Sequence, residues 1–305
     1  MLDLGFVSAI LADHTYHEVI DFAADNKFKC VEIMCWPKGK AERRYAGVTH
    51  IDADELNKSV ARDLMSYASD QGIYVSGLGY YPNPLDPDPA KAKFYVSHLK
   101  KVIRAASLLE IPVVNTFIGR DYTRNLEDNF KLFKKTWPSI VQFAEDQGVK
   151  IGIENCPMLF TNDEWPGGKN MATTPAIWDR MFDIIPSTAL GLNYDPSHLV
   201  WQMMDPIRPI YDYKDRIVHV HLKDVRVYKD KLDRNGILST PLTYHSPKLP
   251  GLGDVNWNNF FAAITDIRYR GPLCIEVEDK AFEGSDMDII AAILTSRNYI
   301  NQFLP

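Results

Sequence analysis

Eight short runs rich in β-branched and other apolar residues recur along the chain, almost every one followed by a longer stretch of helical periodicity. The runs are 4–9 (LGFVSA), 30–36 (CVEIMCW), 74–80 (YVSGLGY), 112–119 (PVVNTFIG), 149–155 (VKIGIEN), 190–195 (LGLNYD), 218–224 (VHVHLKD) and 273–279 (LCIEVED). Helical patterns fill 53–72, 90–110 and 129–148, and a final one, 286–304, follows the eighth run. Strict alternation of strands and helices argues for parallel strands. Eight such units, with no Pro/Gly/Ser-rich linker between them, predict one (β/α)8 TIM barrel domain over residues 1–305.

Local signals sharpen this frame. Trp137-Pro138 predicts a break in the fourth helix. Gln147-Gly148 and Asp70-Gln71-Gly72 place a glycine at a helix C-terminus just before a strand. Asn256, in GLGDVNW (251–257), is the expected N-cap of the seventh helix. Loops 36–52, 155–173 and 223–255 are long, and the last two follow strands five and seven on the face where barrel active sites form. The segment FTNDEWPGGKN (160–170) has the composition of a mobile lid.

The net charge of −6 leaves no basic surplus to neutralise phosphates, which disfavours a nucleic-acid partner. No stretch approaches 18 uninterrupted apolar residues, so no membrane span is expected. The N-terminus, MLDLGFVSAILADH, lacks a basic region and reads as a strand rather than a signal peptide. Cys30, Cys35, Cys156 and Cys274 show no paired spacing, so reduced thiols in a cytoplasmic protein are expected.

Runs five to eight each end in one ligand-type residue: Glu154, Asp195, His221 and Glu276. Parallel strands bring these four to one rim. Any one of them alone reads equally well as a salt-bridge partner or a packed polar residue. Four on consecutive strands form a mostly oxygen shell of formal charge −3, which repels itself unless a cation is bound. One divalent metal is therefore expected, Mn2+ first, with Mg2+, Co2+ and Zn2+ also suited; the lack of thiolate argues against a purely structural zinc.

Ile153-Glu154-Asn155, Asp195-Pro196-Ser197-His198, His219-Val220-His221-Leu222-Lys223-Asp224 and Ile275-Glu276-Val277-Glu278, together with GLGDVNW, resemble the strand-end motifs of the xylose-isomerase-like sugar isomerase/epimerase superfamily. The resemblance implies that Glu154, Asp195, His221 and Glu276 bind one metal, and that Glu154 and Glu276 also move protons. It implies that His198 contacts substrate oxygens. Lys223, Arg226 and Asn115 are further candidates for substrate binding, although Arg226 stands five residues past His221 where relatives place an arginine six on. His219 points to the same strand face as His221 but deeper. Trp36 and Tyr80 are candidates for a stacking wall against a sugar ring.

The implied chemistry is proton abstraction beside a carbonyl to give an enediolate, then reprotonation by an isomerase or epimerase. β-Elimination from a 3-oxo-glycoside, the lyase alternative, uses the same site. Ketose epimerases of the superfamily carry a glutamate at the position of Phe160, and the apolar residue here points to a different substrate, such as a glycoside or larger sugar derivative. Related abasic-site endonucleases need histidines after strands three and four, where this chain reads GLGYYPN and NTFIGRD. A non-catalytic sugar-binding barrel would not require the quartet. Relatives are often dimers or tetramers.

Overall fold

A computed structural model describes residues 2–39, 45–159 and 167–304. The runs fold into β1 (Asp3–Val7), β2 (Cys30–Met34), β3 (Tyr74–Gly79), β4 (Val113–Thr116), β5 (Lys150–Glu154), β6 (Leu190–Tyr194) and β7 (Ile217–Leu222), then β8 (Asp224–Val227), β9 (His245–Lys248) and β10 (Pro272–Ile275). Strands β1 to β7 and β10 pair in parallel around a closed barrel, β10 joining β7 to β1. This is the TIM barrel that the alternation predicts, in one domain. Strands β8 and β9 form a separate antiparallel pair inside the loop after β7, which the sequence reading treated as loop.

The helices are α1 (Tyr16–Asp25), α2 (Lys58–Asp70), α3 (Pro89–Leu108), α4 (Leu126–Thr136), α5 (Pro138–Asp146), α6 (Pro175–Ile184), α7 (Ser197–Val200), α8 (Arg208–Asp212), α9 (Lys229–Asn235), α10 (Trp257–Asp266) and α11 (Asp286–Ile300). The expected break falls at Trp137, because Pro138 has no N–H to continue α4. Asn256 caps α10 by accepting from Asn259 N–H at 3.0 Å. Gly72 and Gly148 have φ of +72° and +68°, the left-handed conformation that ends a helix cheaply only in glycine. After β6 the helical layer is reduced to the short α7 and α8, where the eight-fold pattern predicted one full helix. No helix among the described residues is long and apolar enough to cross a membrane.

The outer shell is conventional: Trp137, Trp178, Trp257 and Phe133 are fully buried between helices and barrel. The barrel interior is not. Ser76, Asn115, Asn193, His219, Glu32 and His221 are all buried. His219 lies 3.1 Å from Ser76 Oγ and 3.0 Å from Asn193 Oδ1, and Asn193 Nδ2 donates to Tyr81 Oη at 3.2 Å. Asn115 apart, these polar groups are tolerated at such depth because they bond to one another.

The excursion between β7 and α10 is pinned by one carboxylate. Buried Asp224 accepts hydrogen bonds from Val225 N (2.8 Å), Gly251 N (2.9 Å), Val255 N (3.0 Å) and Trp257 Nε1 (2.8 Å). A Cβ on Gly253 would lie 2.2 Å from Asp224 Oδ1, so the second glycine of GLGD makes room for that carboxylate. Asp224→Ala strands these donors, each costing ~1–3 kcal/mol when buried. The expected result is a loss of at least ~3 kcal/mol in chemical denaturation, with Asp224→Asn, which keeps one acceptor, in between.

Candidate active site

Each quartet residue sits where its strand leaves the barrel: Glu154 closes β5, Asp195 follows β6, His221 is the fifth residue of β7, and Glu276 follows β10. Asp195 is fixed by its neighbours. Its N–H donates to Asn155 Oδ1 and its Oδ1 accepts from Ser197 N, both at 2.8 Å. Glu154, His221 and Glu276 offer ligand atoms that all lie within 4.8 Å of one another.

The orientation of His221 is informative. Its Nε2 lies 2.7 Å from Glu32 Oε2, a hydrogen bond that puts a proton on Nε2. Asn193 Nδ2 is 2.9 Å from the same nitrogen. The other ring nitrogen, Nδ1, makes no hydrogen bond among the described residues and faces Glu276 Oε2 at 3.4 Å and Glu154 Oε1 at 3.8 Å. A lone pair facing two buried carboxylates is unfavourable until a proton or a cation lies between them. Burial opposes charge on His221, yet Glu32 and Glu276 hold its pKa well above the usual histidine value. A metal there replaces the second proton. Asp195 Oδ2 makes no hydrogen bond among the described residues, but the Lys223 ammonium lies 3.1 Å from it. Glu154, Asp195, His221 and Glu276 would be the residues to hold a divalent cation, with Glu32 orienting His221 from behind.

Lys223 follows the last residue of β7, continues its inward face, and is 2% exposed. Its ammonium lies 2.6 Å from Glu276, 3.0 Å from Glu278, 3.1 Å from Asp195 and 3.8 Å from Glu154. Burial works against that charge, but the carboxylates, Glu276 first, hold its pKa well above the ordinary lysine value. Glu154 is held well below the carboxylate range against the effect of burial, by His198, His221 and Lys223. One ammonium cannot neutralise Glu154, Asp195, Glu276 and Glu278 together, so Lys223 leaves a net negative site for the cation.

Above these groups a small cavity of about 60 Å3, partly open to solvent, is lined by Trp36, Met34, Tyr81, Phe117, Cys156, Glu154, Lys223, Glu276 and Glu278 among others. The structure brings Glu154, Asp195, His221, Glu276, His198 and Lys223 together. It places Asn115 elsewhere: fully buried on β4, its amide makes no hydrogen bond and fills space left by Gly77 and Gly152. Arg226 is exposed on β8 and pairs with Asp254 at 3.1 Å. Trp36 lines the cavity, whereas Tyr80 is buried behind it with ring centroids 4.9 Å apart. Phe160 and most of the expected lid lie outside the described residues. All four cysteines are free.

Sequence reasoning missed Glu32 and Tyr81, whose hydroxyl donates to Glu32 Oε1 at 2.5 Å, and it gave Glu278 no role. For Glu32 the signal was present: a glutamate in the middle of CVEIMCW is costly to bury unless it has a partner.

Residues 20–298 match the family described as the xylose isomerase-like TIM barrel. The chain is 26% identical over 300 residues to the uncharacterized protein YfiH of Bacillus subtilis, covering 91% of this chain and 93% of that one. It is 29% identical over 191 residues to the inosose dehydratase of Clostridium perfringens, 60% of each chain. The D-psicose 3-epimerase of Clostridium cellulolyticum H10, solved with D-tagatose, superposes with a TM-score of 0.69 at 15% identity over 99% of both chains.

Proposed function

The chain belongs to the xylose isomerase-like TIM barrel family, and we propose that this enzyme is a divalent-metal-dependent sugar isomerase or epimerase that removes a proton beside the carbonyl of a sugar or related polyol. The observation that carries the reading is the bare Nδ1 of His221 facing Glu154 and Glu276 at the mouth of the barrel. A divalent cation bound there would polarise the substrate carbonyl and acidify the adjacent C–H.

The remaining work falls to side chains. Glu154 and Glu276 line the same cavity, and one takes the proton while the other returns it. Return to the opposite face of the same carbon gives an epimer; return to the neighbouring carbon gives the aldose–ketose isomer. The Lys223 ammonium, held against Glu276, favours negative charge developing on a substrate oxygen within its reach. Trp36, Met34 and Phe117 supply an apolar wall that strengthens these interactions by excluding water.

A second reading, elimination, rests on the inosose dehydratase relatives and on Lys223, which stays charged and can stabilise a departing oxygen. One experiment separates the two. Protein loaded with Mn2+ is incubated in D2O with a panel of ketohexoses, an inosose and a 3-oxo-glucoside, and the products are read by NMR. Metal-dependent deuterium beside the carbonyl of an otherwise intact or isomerised sugar supports the first reading. Dehydrated product or released aglycone supports the second. No exchange with any of them would refute both.

A further inference from the structure

His198 presents the reverse of the arrangement at His221. Its ring is buried beside the quartet, with Nε2 3.3 Å from Asp195 Oδ2 and 3.5 Å from Glu154 Oε1, in hydrogen bond with neither. Its far nitrogen, Nδ1, accepts from the indole N–H of Trp201 at 3.3 Å. At His221 a carboxylate takes the far proton and leaves a lone pair facing the site. At His198 a donor occupies the far nitrogen, so a neutral ring must carry its proton on Nε2, facing the site.

We infer that Trp201 is a positioning residue: its indole N–H locks His198 as the Nε2–H tautomer, so that His198 presents a hydrogen-bond donor to a substrate oxygen. The inference rests on the proposed active site for its consequence, but the tautomer itself is a property of the protein alone. It also decides a competing geometry. Glu154, Cys156 and His198 offer ligand atoms within 4.8 Å of one another, as a second metal site would. A metal on Nε2 would force the proton onto Nδ1 and set it against the indole N–H, so that cluster is not assigned a metal.

The lock is itself held in place. Residues 195–201 read DPSHLVW, and the spacing of three puts Trp201 on the same face of the α7 turn as His198. On the other side Trp201 stacks flat on His245 of β9, 4.8 Å between centroids at 6°. His245 lies 2.6 Å from the Pro241 carbonyl, and burial pushes its pKa down to about 4, so the stack is neutral near pH 7. Against burial, Cys156 and Asp195 hold the His198 pKa well above the usual histidine value when no cation shares the carboxylates; a divalent cation among them removes that bias, so the tautomer is that of the loaded protein. The indole opposes the proton on Nδ1 that a positive ring needs.

The test uses full-length protein with 15N-labelled histidine, loaded with diamagnetic Mg2+ or Zn2+. Long-range 15N–1H correlation should show His198 as Nε2–H. Replacing Trp201 with benzothienylalanine keeps the ring and the stack but removes the N–H, and should shift the tautomer population toward Nδ1–H; Trp201→Phe is a second, natural variant. Turnover of whichever panel substrate exchanges deuterium should fall about 10-fold, equally in kcat and kcat/KM, the size of one hydrogen bond to a developing charge. In a His198→Gln background, whose amide donates without a tautomer choice, the same replacement should cost less than about 2-fold. An Nδ1–H ring or an imidazolium in the wild type, an unchanged tautomer in the variant, or equal losses in both backgrounds would overturn the inference. If no panel substrate reacts, the proposed function fails, and the NMR arms still decide the tautomer.

Discussion

Glu154→Gln, assayed at saturating Mn2+, should lower kcat by about 10^3-fold, and Glu276→Gln should do the same, because a positioned base or acid is worth ~10^2–10^4-fold. The substitution is close to isosteric, so the side chain keeps its volume beside His198 and His221. What it loses is the proton acceptor and one anionic ligand. Measuring metal affinity by titration in parallel separates the two losses: weaker binding is recovered by excess Mn2+, a missing base is not. Wash-in of solvent deuterium should vanish together with turnover. In the metal-free protein the same variant should melt below the wild type, since it removes a carboxylate whose charge His198, His221 and Lys223 stabilise in the fold. Turnover at the full rate in Glu154→Gln with metal bound would sink the assignment of Glu154 as a proton carrier.

The sequence carried the barrel because every level agreed: run length, helical spacing and caps all point to the same alternation. The quartet was legible because a parallel barrel converts "last residue of the strand" into "same rim", so no distances were needed. Lys223 was legible in direction, since alternation continues the inward face of His219 and His221 by two residues. Its contact with Asp195, Glu276 and Glu278 was not, because how far each strand end rises above the rim depends on the stagger between strands. The same stagger puts Asn115 in the interior, opposite Gly152, instead of at the rim. Glu32 meets His221 across 189 residues, a pairing that no local pattern encodes. Arg226 is carried away because the chain leaves the barrel at Asp224 into β8 of the β8–β9 pair, a strand too short for its alternation to stand out.

Lys223→Met should separate stability from metal affinity, moving them in opposite directions. The ammonium is buried against Glu276, Glu278, Asp195 and Glu154. Methionine fills much of the same volume without charge. Breaking a buried ion pair from one side typically costs ~3–5 kcal/mol, because the partner charges stay behind without compensation. With each kcal/mol shifting the melting temperature of a large domain by ~2–4 °C, the metal-free variant should melt roughly 6–20 °C below the metal-free wild type. Titrating Mn2+ into both should narrow that gap without closing it, because the same carboxylates then face a cation in each protein and the variant gains only the difference in binding free energy. The variant's apparent affinity for Mn2+ should rise about 10-fold, since no tethered cation competes for the carboxylates; that equals ~1.4 kcal/mol, a fraction of the pairing removed. Turnover should still fall, because the positive charge beside Glu276 no longer acts on substrate. Calorimetric melts with and without metal, together with a metal titration, read all of these quantities. If affinity for Mn2+ falls with the melting temperature, Lys223 shapes the carboxylate cage and does not compete for it, and its reading as an internal counter-ion is wrong.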